Sequence, residues 1–95
     1  MNKELKELTV VGRKWFERTN GNTYHSVRVW INDDPMIYEP FSYGYDDQYK
    51  QTAFKMIQEA GYMQDQSYHD FLELARNNRE DLHIRAYNVK KKKEL

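Results

Sequence analysis

The dipeptide Asn20-Gly21 constrains the fold of this chain more than any other feature, because it separates two runs of β-branched and aromatic residues. Asparagine and glycine accept the positive φ angles of a tight turn at little steric cost, so strand-forming runs on both sides predict a β-hairpin. We expect a first strand over 8–19 and a second strand over 23–32. This hairpin defines a local structure but does not indicate a reaction.

The hydrophobic pattern predicts how the two strands are aligned. A two-residue loop would place Arg13 opposite Arg28. A three-residue loop over 20–22 with a bulge would instead place Trp15 opposite Val27, and we expect this second alignment because it gathers apolar residues on one face. One face then carries Val11, Trp15, Val27, Val29 and Ile31, and the other carries Lys14, Phe16, Ser26, Arg28 and Trp30.

A third strand and a first helix are expected next. The strand covers 36–43, and Pro40 within it indicates an edge position or a bulge, since proline cannot donate a backbone hydrogen bond. Asp46 or Asp47 can cap a helix that runs to residue 60. The apolar face of this helix consists of Tyr49, Ala53, Met56, Ile57 and Ala60, and Gly61 suits the position after its C-terminus.

The remaining sequence predicts a second helix and a closing strand. Ser67 and Asp70 match a capping box in which aspartate replaces glutamate, which predicts a helix to about residue 77. Apolar and polar residues alternate over 82–89, as in a half-buried strand.

The order β-β-β-α-α-β defines the expected fold class. It packs most simply as an α+β fold, an antiparallel sheet of about four strands with two helices on one face. We expect a single domain over 1–95, with flexible ends at 1–7 and 90–95.

The composition limits the classes of function. The chain of 95 residues has no cysteine, which excludes a disulfide framework or a thiolate metal site within it. Its first residues are charged and lack the apolar core of a signal peptide, and no run approaches the ~20 apolar residues of a membrane span. We therefore expect a cytoplasmic protein without a membrane partner.

Charge is segregated along the chain although the formal net charge is zero. Residues 1–32 hold six basic against three acidic residues, and residues 82–95 hold five against one. Residues 33–81 instead hold four basic against eleven acidic residues. If the two ends of the chain meet in space, the molecule has a basic side and an acidic side.

No motif in the sequence indicates an enzyme or a cofactor. The three histidines lack metal-ligand spacing, and the four isolated glycines exclude a glycine-rich phosphate loop. Glu39, Asp46 and Asp47 could hold Mg²⁺ in a metal-dependent nuclease, but helix capping produces similar acidic pairs. We expect no catalytic residue, no metal and no cofactor, and keep the nuclease as a minor alternative.

Basic and aromatic residues are interleaved in the expected hairpin and again in the closing strand. Such a mixture holds single-stranded nucleic acid, since cations neutralise phosphates and flat rings stack on bases. We predict a non-enzymatic protein that binds single-stranded nucleic acid through a sheet face. The expected contact residues are Arg13, Lys14, Phe16, Arg28, Trp30, Arg85, Lys90 and Lys91. The alternative is that the tryptophans only pack and the cations are only solvated.

Eight tyrosines and the acidic central segment favour a different hypothesis. Tyrosine is enriched at protein interfaces, and an acidic surface can engage a basic protein. The alternative function is therefore inhibition of another protein through this surface, or sequestration of a nucleotide signal in a tyrosine-lined pocket. The expected contacts are Asp33, Asp34, Tyr43, Tyr45, Asp46 and Asp47. A second copy of the chain is a further candidate partner.

Three segments carry a likeness to a known group of proteins. They are residues 13–27, Tyr43-Gly44-Tyr45 and Gly61-Tyr62. Together they resemble a group of small bacteriophage and prophage proteins to which no activity is assigned. The resemblance implies expression in a bacterial cytoplasm and a role such as nucleic-acid handling or interference with a host system. Under the alternative hypothesis, it implies that the inhibited protein is a host defence enzyme. It supplies no catalytic residues to transfer to this chain.

Overall fold

The computed structural model describes residues 5–44, 48–76 and 82–95, and its elements follow the expected order. They are β1 (Leu8–Glu17), β2 (Asn22–Ile31), β3 (Ile37–Tyr43), α1 (Gln48–Glu59), α2 (Tyr68–Arg76) and β4 (Leu82–Val89), followed by a short 3-10 helix (Lys92–Glu94). The expected α+β layout is confirmed, and the strand bounds lie within two residues of those expected.

The four strands form one sheet in the order β3-β2-β1-β4. β2 pairs antiparallel with both β1 and β3, as expected. β4 is different, because it pairs parallel with β1, from Leu8 opposite Leu82 to Trp15 opposite Val89. A parallel pair requires a long crossover connection, which α1 and α2 together supply. The sheet is therefore mixed rather than wholly antiparallel.

β3 has both features expected from Pro40, an edge position and a bulge. His25 of β2 lies opposite Ser42, whereas Val27 lies opposite Glu39, so two steps along β2 match three along β3. The extra residue falls at or next to the proline, which has no N–H to contribute to the ladder. The alternation of faces along β3 therefore shifts at this point.

The alignment of β1 with β2 differs from the expected one. Trp15 lies opposite Tyr24, and Gly12 lies opposite Val27, so the expected pairing of Trp15 with Val27 is wrong. The turn is also longer, since four residues, 18–21, connect the strands. Because the side-chain period of a strand is two, this odd shift moves the residues of β1 to the faces opposite those expected.

The two faces of the sheet follow from this alignment. The covered face, against which α1 and α2 pack, includes Leu8, Val10, Val27, Val29 and Ile31. The opposite face, termed the open face, includes Val11, Arg13, Trp15, Tyr24, Ser26, Arg28, Trp30, Arg85 and Tyr87. The expected faces of the β2 residues are confirmed. Lys14 and Phe16, expected beside Arg28, lie on the covered side instead.

The close approach of α1 to β1 explains the alignment. A Cβ atom at Gly12 would lie 2.5 Å from Cδ2 of Tyr49, a separation that would force the Tyr49 side chain or the helix that carries it to shift. The expected alignment would instead place Val11 and Trp15 on this face, where close packing leaves no room for an indole. With glycine at the contact, α1 lies directly on the sheet.

α1 buries the apolar side that its spacing predicts, and α2 packs against it through Phe71. The buried residues of α1 are Tyr49, Ala53, Phe54, Met56 and Ile57. Phe71 of α2 is fully buried, with its ring 5.5 Å from that of Phe54. Burial of a large apolar side chain contributes about 1.5–3 kcal/mol to folding. In the parts of the chain that the structure describes, no helix is long and apolar enough to cross a membrane.

Gly61 ends α1 as expected. Its φ angle is +98°, and its N–H donates to the carbonyl oxygen of Gln58 at 3.0 Å. The N–H of Tyr62 donates to the carbonyl oxygen of Ile57 at 3.1 Å, which completes a Schellman motif. The capping box at the start of α2 is also confirmed, with reciprocal bonds between Ser67 and Asp70.

His25 links β2 to α1 from a fully buried position on the covered face. The carbonyl oxygen of Gly44 can only accept, so ring Nδ1 donates to it at 3.2 Å and Nε2 accepts from the Thr52 hydroxyl at 2.8 Å. Burial lowers the pKa of His25 below its ordinary value, because a charged ring would lose its solvation. The bond to Gly44 and the charge of Glu39 oppose this shift.

We expect Gly21→Val to lower the free energy of unfolding by about 1–2 kcal/mol, because a β-branched residue is strained at its φ of +68°. Crowding is not the cause, since no atom lies within 4 Å of an added Cβ. Gly21→Asn is the control, because asparagine tolerates this conformation. Urea denaturation measures both variants, and equal stabilities would contradict the turn geometry.

The lowered pKa of His25 makes stability dependent on pH. The unfolded chain takes up a proton near pH 6.5 while the folded ring resists it, so stability is complete above that pH and falls as the pH drops toward the folded pKa. We expect the stability advantage of the wild type over His25→Gln to shrink between about pH 7.5 and pH 5. Urea denaturation at both pH values measures it. An advantage independent of pH would show that burial does not disfavour the charged ring.

Candidate nucleic-acid interface

A row of aromatic rings crosses one end of the open face. The Tyr24 ring lies between Trp15, at 5.9 Å between centroids, and Phe41, at 4.6 Å, and both pairs are stacked. Tyr43 meets the Tyr24 ring edge-on at 5.6 Å. The row forms because Trp15 and Tyr24 are cross-strand partners and the bulge brings Phe41 to the same side. Flat rings held in this way form a preorganised surface for further stacking.

Arginines occupy the middle of the same face. Arg28 and Arg85 flank Val11, because this residue pairs with Arg28 on one side and with Arg85 on the other. Arg13 lies two residues further along β1. The Arg28 guanidinium carbon is 4.4 Å from the centroid of the Tyr38 ring, within cation–π distance. Adjacent strands therefore concentrate three positive charges beside the aromatic row.

Trp30 marks the other end of the open face. It lies opposite Thr9 and is 38% exposed, so part of its ring is available to a partner. Six residues separate Thr9 from Trp15 along β1, which corresponds to about 20 Å. The open face is thus a strip with aromatic groups at both ends and arginines between them.

The last six residues, 90–95, form a tail that lies against this strip. Lys90 and Lys91 follow β4 and are exposed, as are residues 92–94, in line with the expected solvated tail. Leu95 departs from that expectation, because it is only 7% exposed and its backbone oxygen contacts the open face. The tail therefore covers part of the central arginine region.

The expected contact residues divide into three groups. Arg13, Arg28, Trp30 and Arg85 share the open face. Lys90 and Lys91 lie beside it at the start of the tail. Lys14 and Phe16 are separated from the others by the sheet itself, because the alignment of β1 turns them to the covered side.

Lys14 and Phe16 instead line a pocket at the hairpin end of the sheet, which shares Tyr43 with the aromatic row. The pocket has a volume of about 550 Å³ and is lined by Lys14, Phe16, Gly21, Asn22, Thr23, Tyr43, Asn88 and Val89. Phe16 is 55% and Tyr43 is 65% exposed, so both rings face solvent. The Lys14 ammonium lies 5.9 Å from the Tyr49 ring centroid. The pocket combines two rings, two amide side chains and one cation.

The acidic surface of the alternative hypothesis is only partly described. Asp33 and Asp34 lie in the turn before β3, whereas Tyr43 ends that strand. Asp34 accepts a hydrogen bond from the Tyr62 hydroxyl at 2.6 Å, and this bond raises the pKa of Tyr62 above its ordinary value. Asp34 thus supports the fold. Tyr45, Asp46 and Asp47 lie outside the described residues.

The nuclease alternative depends on one described carboxylate and on two residues outside the described ranges. Glu39 is half-buried on β3, and the other two expected ligands, Asp46 and Asp47, lie outside the described residues. Within 5–44, 48–76 and 82–95, no group of three or more acidic or histidine side chains is arranged to hold a metal ion. The described residues therefore offer no geometry from which to argue metal chemistry.

The expected contact residues omit four aromatic residues of the open face, Trp15, Tyr24, Tyr38 and Phe41. Trp15 is missed because the expected alignment places it on the face of Val27, and Phe41 is missed because of the bulge in β3. Simple alternation from Tyr38 would place Pro40 on its face and Phe41 on the opposite one. The bulge reverses this, because Ser42 faces the same side as His25 and its neighbour Phe41 faces the other. Pro40 is the signal that indicates a bulge, but it does not predict which following side chain changes face.

Comparisons with models of known protein families, with curated proteins and with solved structures give no match to this chain. The function is therefore argued from the open face and the pocket themselves.

Proposed function

We propose that this protein binds single-stranded nucleic acid through the open face of its sheet and acts without catalysing a reaction. The observation that carries the proposal is the position of Arg13, Arg28 and Arg85 on the same face as the stacked row around Tyr24. The likeness to phage proteins supports a further proposal, that the protein acts in the cytoplasm of a bacterial cell.

The chemistry of the open face suits a flexible strand. Bases that are not paired can stack on exposed rings, and each stacked base contributes about 1–3 kcal/mol to binding. Guanidinium groups pair with phosphate oxygens through two parallel hydrogen bonds. Aromatic residues on a four-stranded sheet are an established platform for single-stranded RNA, and helices confined to the other side leave such a platform accessible. Stacking and charge together favour single strands over a rigid duplex.

The charge distribution supports attraction of nucleic acid by the basic side of the sheet rather than by the molecule as a whole. The net charge of the whole chain is zero, so long-range steering of a polyanion by the molecule as a whole is weak. The basic residues nevertheless concentrate in the first 32 and last 14 residues of the sequence, and β1, β2 and β4 bring these segments together. Binding should accordingly be strongest at low salt.

We expect Arg85→Gln to weaken binding of a fluorescein-labelled oligothymidylate by roughly 3- to 10-fold, because one phosphate contact is lost. Lys14→Gln removes the same charge from the neighbouring strand but on the covered side, and it should leave the affinity unchanged. Fluorescence anisotropy at low salt measures both. Weaker binding by the Lys14 variant alone would overturn the assignment of the face, and absence of binding by the wild type would overturn the function.

A second matched pair of variants tests how much aromatic stacking contributes to binding. Trp30→Ala should lose about 1–3 kcal/mol of binding free energy if a base stacks on this indole. Phe16→Ala removes a more exposed ring from the covered side and should have no effect. The salt dependence of binding should stay constant in both variants, because neither removes a charge. Equal losses in the two variants would indicate a general loss of folding, which circular dichroism would detect.

The pocket at the hairpin end favours a second candidate function, sequestration of a small nucleotide. Its volume of about 550 Å³ lies within the usual range for ligand pockets. Phe16 and Tyr43 could stack on a base, the amides of Asn22 and Asn88 could bond its edge, and the Lys14 ammonium could approach a phosphate.

Nucleotide binding in the pocket should be weakened by variants that leave binding to the open face unchanged, and the reverse. If this candidate is correct, Phe16→Ala and Asn88→Ala will weaken binding of mononucleotides and Trp30→Ala will not. Isothermal titration calorimetry with the four ribonucleoside monophosphates tests it. Binding of none of them, or binding that depends on Trp30 but not on Phe16, would exclude the pocket.

A further inference from the structure

Three side-chain donors of the open face converge on the backbone of the last two residues of the chain. Nη1 of Arg13 donates to the carbonyl oxygen of Glu94 at 3.0 Å. Nη2 of Arg28 and the hydroxyl of Tyr38 both donate to the backbone oxygen of Leu95 at 3.1 Å. Two of the three arginines of the proposed interface, Arg13 and Arg28, are therefore already hydrogen-bonded to the tail in the free protein.

Apolar and cation–π contacts hold the tail in this position. Leu95 is 7% exposed, and Ser26 on β2 is fully buried. Nη1 of Arg28 donates to the hydroxyl oxygen of Ser26 at 3.4 Å, so Arg28 joins the sheet to the tail. The Lys92 ammonium lies 5.0 Å from the centroid of the Phe41 ring, at the edge of the aromatic row. Leu95 is the one buried residue among the six of the tail, and it serves as the anchor.

The arrangement of donors suits an oxyanion. Arginine provides several N–H donors in a planar fork that matches phosphate oxygens, and its bonds to charged acceptors are about twice as strong as those to neutral ones. Tyr38 adds a hydroxyl donor at the same point. The phosphate of a nucleic-acid backbone in this place would satisfy the same donors and offset one of the two positive charges.

We propose that Arg13, Arg28 and Tyr38 form a phosphate site of the open face, that the backbone of residues 94–95 occupies this site in the free protein, and that a single-stranded nucleic acid displaces it. This inference rests on the proposed function and adds regulation to it. Once released, the four lysines over 90–93 are free to approach the phosphates of the bound strand, so the tail changes from a competitor to a contact.

If the tail and the nucleic acid compete, loss of the tail contact should raise the affinity for nucleic acid by a predictable factor. When only a fraction of the molecules has the site uncovered, the apparent affinity is lowered by that fraction. Leu95→Ser removes the apolar anchor while it keeps every charge and the length of the chain. We expect this variant to bind a labelled oligothymidylate roughly 3- to 10-fold more tightly than the wild type, as for a tail that covers the site in most molecules. Leu95→Met keeps the apolar anchor and should bind like the wild type.

The position of the tail is measured independently by nuclear magnetic resonance. In the free wild type, the heteronuclear NOE of the Leu95 amide should be as high as that of β4, and in Leu95→Ser it should fall to the value of a mobile chain. Addition of saturating oligothymidylate to the wild type should produce the same fall. An amide that stays ordered in the complex would overturn the displacement.

The possible outcomes distinguish failure of this inference from failure of the proposed function on which it rests. If the wild type binds the oligonucleotide and Leu95→Ser binds it no more tightly, the tail is not a competitor, although the proposed function stands. If neither protein binds, the proposed function fails and the phosphate site fails with it. Tighter binding by Leu95→Ser but not by Leu95→Met, together with release of the amide in the complex, supports both.

Discussion

The contact between Gly12 and the Tyr49 ring determines how the rest of this structure is arranged. At this point α1 lies so close to β1 that even a Cβ atom would collide with the ring. Gly12 must therefore face the helix, which turns Arg13 and Trp15 to the opposite side of the sheet. The same alternation sets Val27 beneath the helix and leaves Arg28 on the open face. This one steric constraint therefore decides which residues of the sheet face the core and which lie on the open face.

Two features of the open face destabilise the free protein, and the tail reduces both effects. Guanidinium groups crowded on neighbouring strands repel one another, and exposed rings leave apolar surface in water. The backbone oxygens of residues 94–95 compensate the first effect by accepting from Arg13 and Arg28. The Lys92 ammonium reduces the second effect, because it lies over the exposed Phe41 ring. A surface that needs such a cover in the free state has the properties of a binding site. The tail is thereby a stabilising contact of the open face, and under the proposal above it also competes with the ligand.

Local patterns in the sequence predict the elements of this fold but not their alignment. Periodicity identifies the helices, and Gly61 marks where α1 ends, because these signals depend on residues close in sequence. The face of Lys14 depends on the β1–β2 alignment, which is set by a tertiary contact with α1 and by a turn of four residues. The parallel direction of β4 and the docking of Leu95 also arise from contacts between distant segments. Arg28 and Trp30 are placed correctly, since alternation within β2 alone decides their face.

The central claim is that the open face, with its arginines, is the surface that binds nucleic acid. The most direct measurement is a nuclear magnetic resonance titration of isotope-labelled protein with a short oligothymidylate, observed at the side-chain Nε–H groups of the arginines and at the backbone amides. The account predicts that Arg13, Arg28 and Arg85 shift or broaden as the oligonucleotide is added, while the amides of Lys14 and Phe16 stay unchanged. Perturbation of Lys14 and Phe16 with unchanged arginine signals would contradict it.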